Sequence, residues 1–352
     1  MNEDTKRYFA AANSRRGFVS FFEEVFFDAT IERRYVIKGG PGTGKSSFMK
    51  RVALFAEGKG MDVEYYYCSS DTNSLDGIVI DGRIAIFDGT APHSYDTVLP
   101  GACDEIINLG AFWDAEALGR AANELRILGE KKRRAYADAY GYLRAAGELG
   151  DTLDGVISTC INKQKLKAAA ERQLAKLNLK KNSNGRIYTR QIDAFGTLGS
   201  MHFDTLNRKA SNKYCIDDYY GTAYVYMREL YELARRNGVD ILVSWDTVDT
   251  RKPKEIYFCD TGDYFAIYNP KNISNGHISL INMKRFIDAQ ALSNVRYAYR
   301  AAKQAYDALL SLALDSLAKA GKIHGDIEKI YVLAMDFDSL GEYCRSFCER
   351  IK

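Results

Sequence analysis

The sequence predicts an α/β protein with two three-layer α/β/α units in tandem, each followed by a long helical extension, the second unit being degenerate. Three observations support this fold class: a glycine-rich loop between a strand pattern and a helix pattern, an internal repeat, and apolar helical stripes after each predicted sheet. The length of 352 residues suits two domains. We predict that residues 1–181 form the first unit and residues 182–352 the second, joined by a linker at residues 182–185.

Composition and charge exclude several classes of protein. The net charge is +3, from 49 basic and 46 acidic side chains, so bulk charge indicates neither nucleic acid nor a membrane surface as a partner. No apolar run approaches the roughly 18 residues of a membrane span, and the N-terminus does not resemble a secretory signal. Seven scattered cysteines form no close Cys–His cluster for zinc, so we predict reduced thiols in a cytoplasmic protein.

The strongest motif is a glycine-rich loop, residues 39–46, which matches G-x-x-x-x-G-K-[ST]. Backbone N–H groups in such a loop converge on phosphate oxygens, which requires residues that lack a Cβ or tolerate positive φ. Lys45 would contact the β- and γ-phosphates, Ser46 would ligate magnesium, and the next helix would add its N-terminal dipole. The predicted nucleotide-binding residues are Gly39, Gly40, Pro41, Gly42, Thr43, Gly44, Lys45, Ser46 and Ser47.

The segments on either side of this loop fit the same mechanism. Residues 35–37 are a β-branched and aromatic run typical of a buried strand. Apolar residues between Phe48 and Ala56 recur at helical spacing, and glycines follow them. Strand, loop and helix together predict a site for a nucleoside triphosphate.

A second strand is predicted to end in a carboxylate, at Asp88. Four apolar residues, 84–87, precede it. An aspartate at the carboxyl end of a strand beside a phosphate loop can hold the metal directly or through water. We therefore predict Ser46 and Asp88 as magnesium ligands, and a turn-forming aspartate is the alternative for Asp88.

Asp71 and His93 are predicted to act with Lys45 in catalysis. Asp71 follows a strand pattern and could ligate metal, orient a water or accept a proton from a substrate hydroxyl. An Asx turn in its Ser/Asp/Thr/Asn-rich loop is an equal alternative. His93 follows Asp88 closely and could face the site, although a lone histidine is more often structural.

The absence of two motifs bears on the rate of hydrolysis and on the base of the nucleotide. Asp88 is followed by Gly89 instead of the glutamate that activates water in many motor ATPases, which disfavours fast hydrolysis. The guanine-reading motif Asn-Lys-x-Asp does not occur in the chain. We therefore expect ATP with Mg²⁺ as the ligand and a low rate of turnover.

An internal repeat indicates a tandem duplication. A shift of 179 residues places Gly17 on Gly196 and Thr43 on Thr222, and the matches keep their order over most of each unit. Further on, the stretch at residues 112–118 matches residues 286–292.

The second copy lacks the residues that the chemistry needs. In this alignment Tyr224 and Val225 stand at the positions of Lys45 and Ser46. Asn269 takes the position of Asp88. We interpret the second unit as a pseudoenzyme domain, with binding of another small molecule as the alternative.

Because duplicated domains often pack as homodimers do, the second unit could cap the first unit's cleft or donate a charge to it. Arg228 and Arg251 are candidates for that donation, against the simpler interpretation of solvated arginines.

The helical extensions carry two basic features. Arg120, Arg126, Arg133 and Arg134 could form a lid over the triphosphate, although a solvated helix face is favoured. Residues 162–181 are strongly basic but lack aromatic side chains for base stacking, so a solvated helix is favoured over a nucleic-acid or phosphorylated partner.

The chain resembles the uncharacterised tandem P-loop ATPases of Gram-positive bacteria, which are labelled ATPase or nucleotide kinase without an assigned substrate. The resemblance is strongest over residues 17–118. It implies two P-loop NTPase-like units, and the missing lysine in the second loop departs from the family pattern. The stretches that carry it are residues 17–21, 39–46, 68–71, 74–77 and 88–93.

The function expected from the sequence is ATP binding with slow Mg²⁺-dependent hydrolysis in the first unit. One alternative is a kinase that transfers the γ-phosphate to a small-molecule or nucleotide acceptor. Another is a nucleotide-gated interaction module, in which ATP changes the packing of the two units and a protein partner responds to the change.

Overall fold

The structure is a computed structural model that describes residues 6–180, 185–269 and 278–351. It is a mixed α/β fold with two six-stranded sheets, one in each tandem unit, and several long helices. Most of the predicted linker lies outside the described residues, so the boundary between the units stays a prediction. None of the helices in the described ranges combines the length and apolar composition that a bilayer crossing requires.

The first unit contains eight strands, five α-helices and a 3₁₀ turn at Leu109–Phe112 within its described residues. The strands are β1 (Lys6–Phe9), β2 (Ala11–Ser14), β3 (Gly17–Ser20), β4 (Arg33–Lys38), β5 (Val63–Tyr67), β6 (Leu75–Ile80), β7 (Ile84–Asp88) and β8 (Asp104–Asn108). The helices are α1 (Phe22–Phe26), α2 (Lys45–Gly58), α3 (Ala115–Arg120), α4 (Ala122–Ser158) and α5 (Lys163–Lys176).

The second unit repeats this order, with one continuous helix in place of α3 and α4 and a 3₁₀ turn at Met283–Phe286. Its strands are β9 (Ile187–Thr189), β10 (Asp193–Gly196), β11 (Gly199–His202), β12 (Asn212–Asp217), β13 (Ile241–Trp245), β14 (Pro253–Phe258), β15 (Asp263–Ile267) and β16 (Ile278–Asn282). Its helices are α6 (Thr205–Lys209), α7 (Ala223–Arg236), α8 (Ala289–Leu333) and α9 (Phe337–Cys348).

The two sheets have the same topology. The first sheet has the strand order β1-β5-β6-β7-β4-β8, and the second, read from its β9 edge, has the order β9-β13-β14-β15-β12-β16. Only β6 and β14, at equivalent places, run antiparallel to their neighbours. The remaining neighbours pair in parallel. The predicted duplication into two tandem units is therefore confirmed.

The structure corrects the residue register of the repeat at the β2–β3 hairpin. Ser14 pairs with Gly17 at the end of that hairpin, and Gly196 pairs with Gly199 at the end of the β10–β11 hairpin. Gly17 and Gly199 both have positive φ, at 90° and 99°. Gly17 thus corresponds to Gly199 and not to Gly196, because the hairpin turn sets the register.

The register also shifts at the glycine-rich loop. Thr43 and Thr222 each donate a side-chain hydrogen bond to the carbonyl three residues earlier, so they are equivalent. Helix α2 begins two residues after Thr43, but α7 begins one residue after Thr222. The second loop is therefore one residue shorter, and Ala223, not Tyr224, occupies the first helical position held by Lys45.

The strand register likewise reassigns the counterpart of Asp88. Ile37 of β4 pairs with Asp88 of β7, and Ile216 of β12 pairs with Ile267 of β15. Ile267 therefore stands at the position of Asp88, and the predicted Asn269 lies two residues beyond it. The conclusion that the second unit lacks this carboxylate is unchanged.

The helical extensions form two arms that are exchanged between the sheets. The first arm is α4 with α5, and the second arm is α8 with α9. Bridges between Trp113 and Met335 and between Ile161 and Ile287 place the start of each long helix beside the end of the other, so α4 and α8 pair antiparallel. A shift of 174 residues places Trp113 on Ile287 and Ile161 on Met335, so it converts one bridge into the other. The two arms are therefore related by a pseudo-twofold axis.

Each arm ends in the core of the opposite sheet. Leu340 and Phe347 of α9 pack against Phe48 of α2 in the core of the first sheet. Leu166 and Leu174 of α5 pack against α7 in the core of the second sheet, which leaves the lysines of α5 on the outside. Each sheet therefore depends on a helix from the other unit to bury its outer face.

A third core joins the inner faces of the two sheets. Phe22 and Phe26 of the short helix α1 pack there with residues of both sheets, including Tyr66 and Tyr264. Stacking of Phe9 on Phe203, with ring centroids 4.5 Å apart, extends this contact. The two units consequently share apolar surface on three sides, which indicates one cooperative structure.

We expect Phe347→Ala to lower the free energy of unfolding by about 3–5 kcal/mol, because it leaves a cavity in the core of the first sheet. Phe347 is 1% exposed and contacts the rings of Tyr35 and Phe48. Urea unfolding monitored by circular dichroism would measure the change. The matched control is Leu333→Ala, at a side chain that is 89% exposed, and an equal loss in both variants would contradict the arm exchange.

Candidate functional site

The glycine-rich loop connects β4 to α2 at the carboxyl end of the first sheet. Gly42 and Gly44 have φ values of 70° and 85°, a left-handed conformation that favours glycine. Thr43 is buried and donates to the carbonyl of Gly40, which closes the turn. The loop therefore presents backbone N–H groups at the N-terminus of a 14-residue helix, which is a favourable place for an anion.

Lys45 and Asp88 meet at this loop. Lys45 Nζ donates to the carbonyl oxygens of Gly39, at 3.0 Å, and Gly40, at 2.7 Å, and lies 3.6 Å from Asp88 Oδ2. The other carboxylate oxygen of Asp88 accepts from the N–H and the hydroxyl of Thr90. Burial raises the pKa of Asp88, and the charge of Lys45 opposes that rise.

Ser46 ties the loop to β6. Its hydroxyl oxygen accepts from the N–H of Leu75 at 3.0 Å. Ser47, the next residue, is exposed. The structure thus brings together the predicted residues Lys45, Ser46 and Asp88, because the parallel strands β4 and β7 end at the same edge of the sheet.

Asp71 takes the turn-forming role that was its alternative. Its carboxylate accepts from the N–H of Asn73 and from the hydroxyl of Ser74, so both of its oxygens hold the loop after β5 in shape. Asp71 still lies within electrostatic reach of His324 and Glu328, two residues of the second arm. It contributes negative charge near the loop without facing it as a free acid.

His93 is a buried packing residue beside a second carboxylate. Its ring stacks on Phe22, with centroids 4.0 Å apart, and its Nε2 lies 3.4 Å from Asp76 Oδ2. Asp76 and Asp88 flank the paired residues Gly77 and Phe87 on adjacent strands, and the charge of Asp76 raises the pKa of Asp88. Asp76 therefore stands between His93 and the loop, and sequence analysis did not identify it.

Residues of the second arm cover the loop. A Cβ on Gly40 would lie 2.6 Å from the ring of Tyr331, and one on Gly42 would lie 2.8 Å from the backbone oxygen of Glu328. Helix α8 therefore touches the loop backbone directly. Lys45 and Asp88 retain 14% and 15% exposure of their side chains under this cover.

Three charged or polar side chains of the two long helices lie within electrostatic reach of Lys45 in the covered loop. Lys132 Nζ of α4 lies 3.1 Å from His324 Nδ1 of α8, and His324 Nε2 lies 3.5 Å from Glu328 Oε1. Burial and the charge of Asp71 raise the pKa of Glu328, while the charges of Lys45 and Lys132 and the N–H of Gly42 oppose that rise. No sequence motif marks these residues, because each is ordinary on a charged helix.

The arginines that we considered as sources of positive charge for the glycine-rich loop do not contact it in the described residues. Arg120 at the end of α3 and Arg126, Arg133 and Arg134 on α4 are exposed, as the solvated-face alternative expects. Arg251 forms ion pairs with Asp249 and Asp151, and the guanidinium of Arg228 lies over the ring of Tyr224 in its own unit. The charge that the arm brings to the loop is that of Lys132.

The loop of the second unit has an acceptor of its own. Asp218 stands at the position of Gly39, and its carboxylate accepts from the N–H of Ala223 at 2.8 Å. The amides of Gly221 and Thr222 lower the pKa of this carboxyl, which burial raises. The ring of Tyr299 covers Gly221, where a Cβ would lie 2.8 Å from its hydroxyl. Asp218 therefore supplies negative charge to the amides of this loop from inside the chain.

One group of possible metal ligands lies away from the loop within the described residues: Asp193, His202 and Glu255. Lys254 Nζ lies 3.1 Å from Asp193, and the hydroxyl of Tyr264 bonds to Glu255. Burial raises the pKa of Glu255 to about 7. The protein's own lysine thus supplies positive charge to this cluster, and the oxygen donors suited to Mg²⁺ remain Ser46 and Asp88.

Comparison of the chain with known proteins finds no matching family model, no matching curated protein and no matching solved structure. Function is therefore inferred from the residues of the site.

We expect His93→Ala to lower the free energy of unfolding by about 2–4 kcal/mol, because the buried ring loses its stacking contacts with Phe22 and Phe18. Thermal unfolding would measure the loss, with Val98→Ala as the exposed control. Unchanged stability together with a loss of nucleotide turnover would instead assign His93 to the chemistry.

Proposed function

We propose that the first unit binds ATP with Mg²⁺ at the glycine-rich loop and hydrolyses it slowly. The observation that carries this proposal is the convergence of the loop amides, Lys45, Ser46 and Asp88 at the N-terminus of α2. Under this proposal the chain belongs with the tandem P-loop ATPases that its sequence resembles, and its two sheets are P-loop NTPase-like units.

The residues of the loop supply charge and position. The loop amides and Lys45 neutralise the β- and γ-phosphates, and the ammonium exchanges its contacts with the carbonyls of Gly39 and Gly40 for phosphate oxygens. Ser46 and Asp88 offer a hydroxyl and a carboxylate oxygen as ligands for Mg²⁺, which stabilises the charge of the transferring phosphoryl group.

Slow turnover follows from the carboxylates near the loop. Gly89 follows Asp88, and Asp71 is engaged in its turn. Asp76 lies beside Asp88 but is 5% exposed and faces His93. A general base needs access to the attacking water, and none of these groups is free and open to it.

A nucleotide-gated interaction module is the second candidate. The contact between the loop and α8 favours it, because a triphosphate on the loop competes for space with Tyr331 and Glu328. Movement of α8 would alter the pairing of both arms, and a protein partner could respond to that change.

We expect Lys45→Ala to lower Mg²⁺-dependent ADP release by on the order of 100-fold or more, because it removes the cation that stabilises the γ-phosphate. ADP release would be measured with and without a panel of nucleosides, nucleotides and sugars. Lys59→Ala, an exposed lysine beyond the other end of α2, is the matched control.

The outcomes separate the proposed functions. Lys45-dependent release without an acceptor supports an ATPase, and a rise with one acceptor identifies a kinase. Lys45-dependent binding of ATP without turnover under any condition leaves the gated module. ATP binding that is absent, or equal in wild type and Lys45→Ala, contradicts the proposal as a whole.

A further inference from the structure

We propose that Lys132 of the first arm and His324 of the second arm contact the phosphates of the bound nucleotide. In the nucleotide-free protein, the Glu328 carboxylate occupies the place of these phosphates at the loop. The site is then composite, with a loop from the first unit and phosphate ligands from both arms. This inference rests on the proposed function for the identity of the ligand, a nucleoside triphosphate.

The side chains of Lys132 and His324 are in contact. Lys132 Nζ faces a histidine nitrogen at 3.1 Å, and no carboxylate of the described residues lies within 4.0 Å of it. Lysines that approach the protein interior are normally paired with an acid. A half-buried lysine directed at a histidine above a glycine-rich loop is the arrangement expected of an anion site.

The electrostatics of these two groups agree with that geometry. Burial lowers the pKa of Lys132, the charge of Glu328 opposes that effect, and the nearby charge of Lys45 lowers the pKa further. Burial, Lys132 and Lys45 together lower the pKa of His324 to about 4. Burial thus disfavours the charged form of Lys132, and a phosphate between Lys132, His324 and Lys45 would supply negative charge beside the ammonium.

Glu328 lies against the backbone of the loop at Gly42. The N–H of Gly42, one of the loop amides that a phosphate would use, lowers the pKa of the Glu328 carboxyl. In the second unit the N–H of Ala223 donates to Asp218, a carboxylate of the same loop, and the amide of Gly221, which is equivalent to Gly42, lowers the pKa of that carboxyl. The first loop has Gly39 at that position, so its anion comes from outside the loop, from Glu328 or from a ligand.

The pseudo-twofold relation between the arms assigns a counterpart to each of Lys132 and His324. The 174-residue shift that relates the two arm bridges places Tyr306 at the position of Lys132 and Gly150 at that of His324. Tyr306 and Gly150 are indeed neighbours, since a Cβ on Gly150 would lie 3.4 Å from the Tyr306 ring. The basic pair thus stands only over the loop that carries Lys45.

The contact between α8 and the loop backbone explains how these side chains reach the loop. The backbone oxygen of Glu328 lies within 2.8 Å of the position of a Gly42 Cβ, so α8 itself is in contact with the loop. His324 and Glu328 are one helical turn apart on the same face of α8. Rotation of the Glu328 side chain, which is 40% exposed, would open the amide and leave His324 above it.

The test measures ATP binding by calorimetry in the full-length protein. We expect Lys132→Met to weaken ATP binding by about 10- to 100-fold, the effect of losing a hydrogen bond to a charged group. His324→Ala should weaken it less, because the imidazole is the weaker donor. Lys131→Met, the exposed neighbour on α4, should leave the affinity unchanged.

Glu328→Gln gives a result that misfolding cannot imitate. We expect ATP to bind about 3- to 10-fold more tightly, because the amide side chain competes less well for Gly42 and no longer repels phosphate. Inorganic triphosphate should follow the same order of affinities across the variants, since the arm residues contact phosphate and not the base.

The outcomes distinguish this inference from the proposed function. Loss of ATP binding in Lys45→Ala, with unchanged affinity in Lys132→Met, His324→Ala and Glu328→Gln, would overturn the composite site and leave the proposed function intact. A wild-type protein that binds neither ATP nor triphosphate would overturn both. Weaker binding in Lys132→Met together with tighter binding in Glu328→Gln would support the composite site.

Discussion

The antiparallel pairing of α4 with α8 is the constraint on which the rest of the structure depends. Each long helix spans both units, and the helix that follows it enters the core of the opposite sheet. Without Phe347 and its neighbours on α9, the first sheet would expose the apolar face between α2 and β4. Burial of that surface, worth roughly 25 cal/mol per Å², fixes where both arms lie.

The arm pairing also determines the chemistry that surrounds the glycine-rich loop. The cover supplied by α8 leaves Lys45 and Asp88 only partly exposed, in a setting where a point charge acts more strongly than in water. The same helix brings Glu328 to the amide of Gly42. Packing of the arms and access to the loop are therefore linked, which gives a nucleotide a physical means of acting on both units.

The second unit shows how a duplicated fold keeps its structure without the first unit's chemistry. Its loop is one residue shorter, its first helical residue is Ala223, and Ile267 replaces the strand-end carboxylate. Asp218 then satisfies the loop amides that would otherwise need a ligand. The second unit keeps its structural roles, since it carries the arm that completes the core of the first sheet.

The sequence by itself determined the local features: the strand–loop–helix order at Lys45, the strand that ends in Asp88, and the duplication. These follow from the chain because glycine placement and apolar periodicity act over a few residues. The residue register between the two copies required the structure, since the shortening of a loop by a single residue leaves little trace in composition. Only the tertiary structure decided that Lys132 and Glu328, nearly 200 residues apart, share the space above one loop. An apolar stripe predicts which face of a helix is buried, but it does not predict the partner, because the partner depends on packing between distant segments.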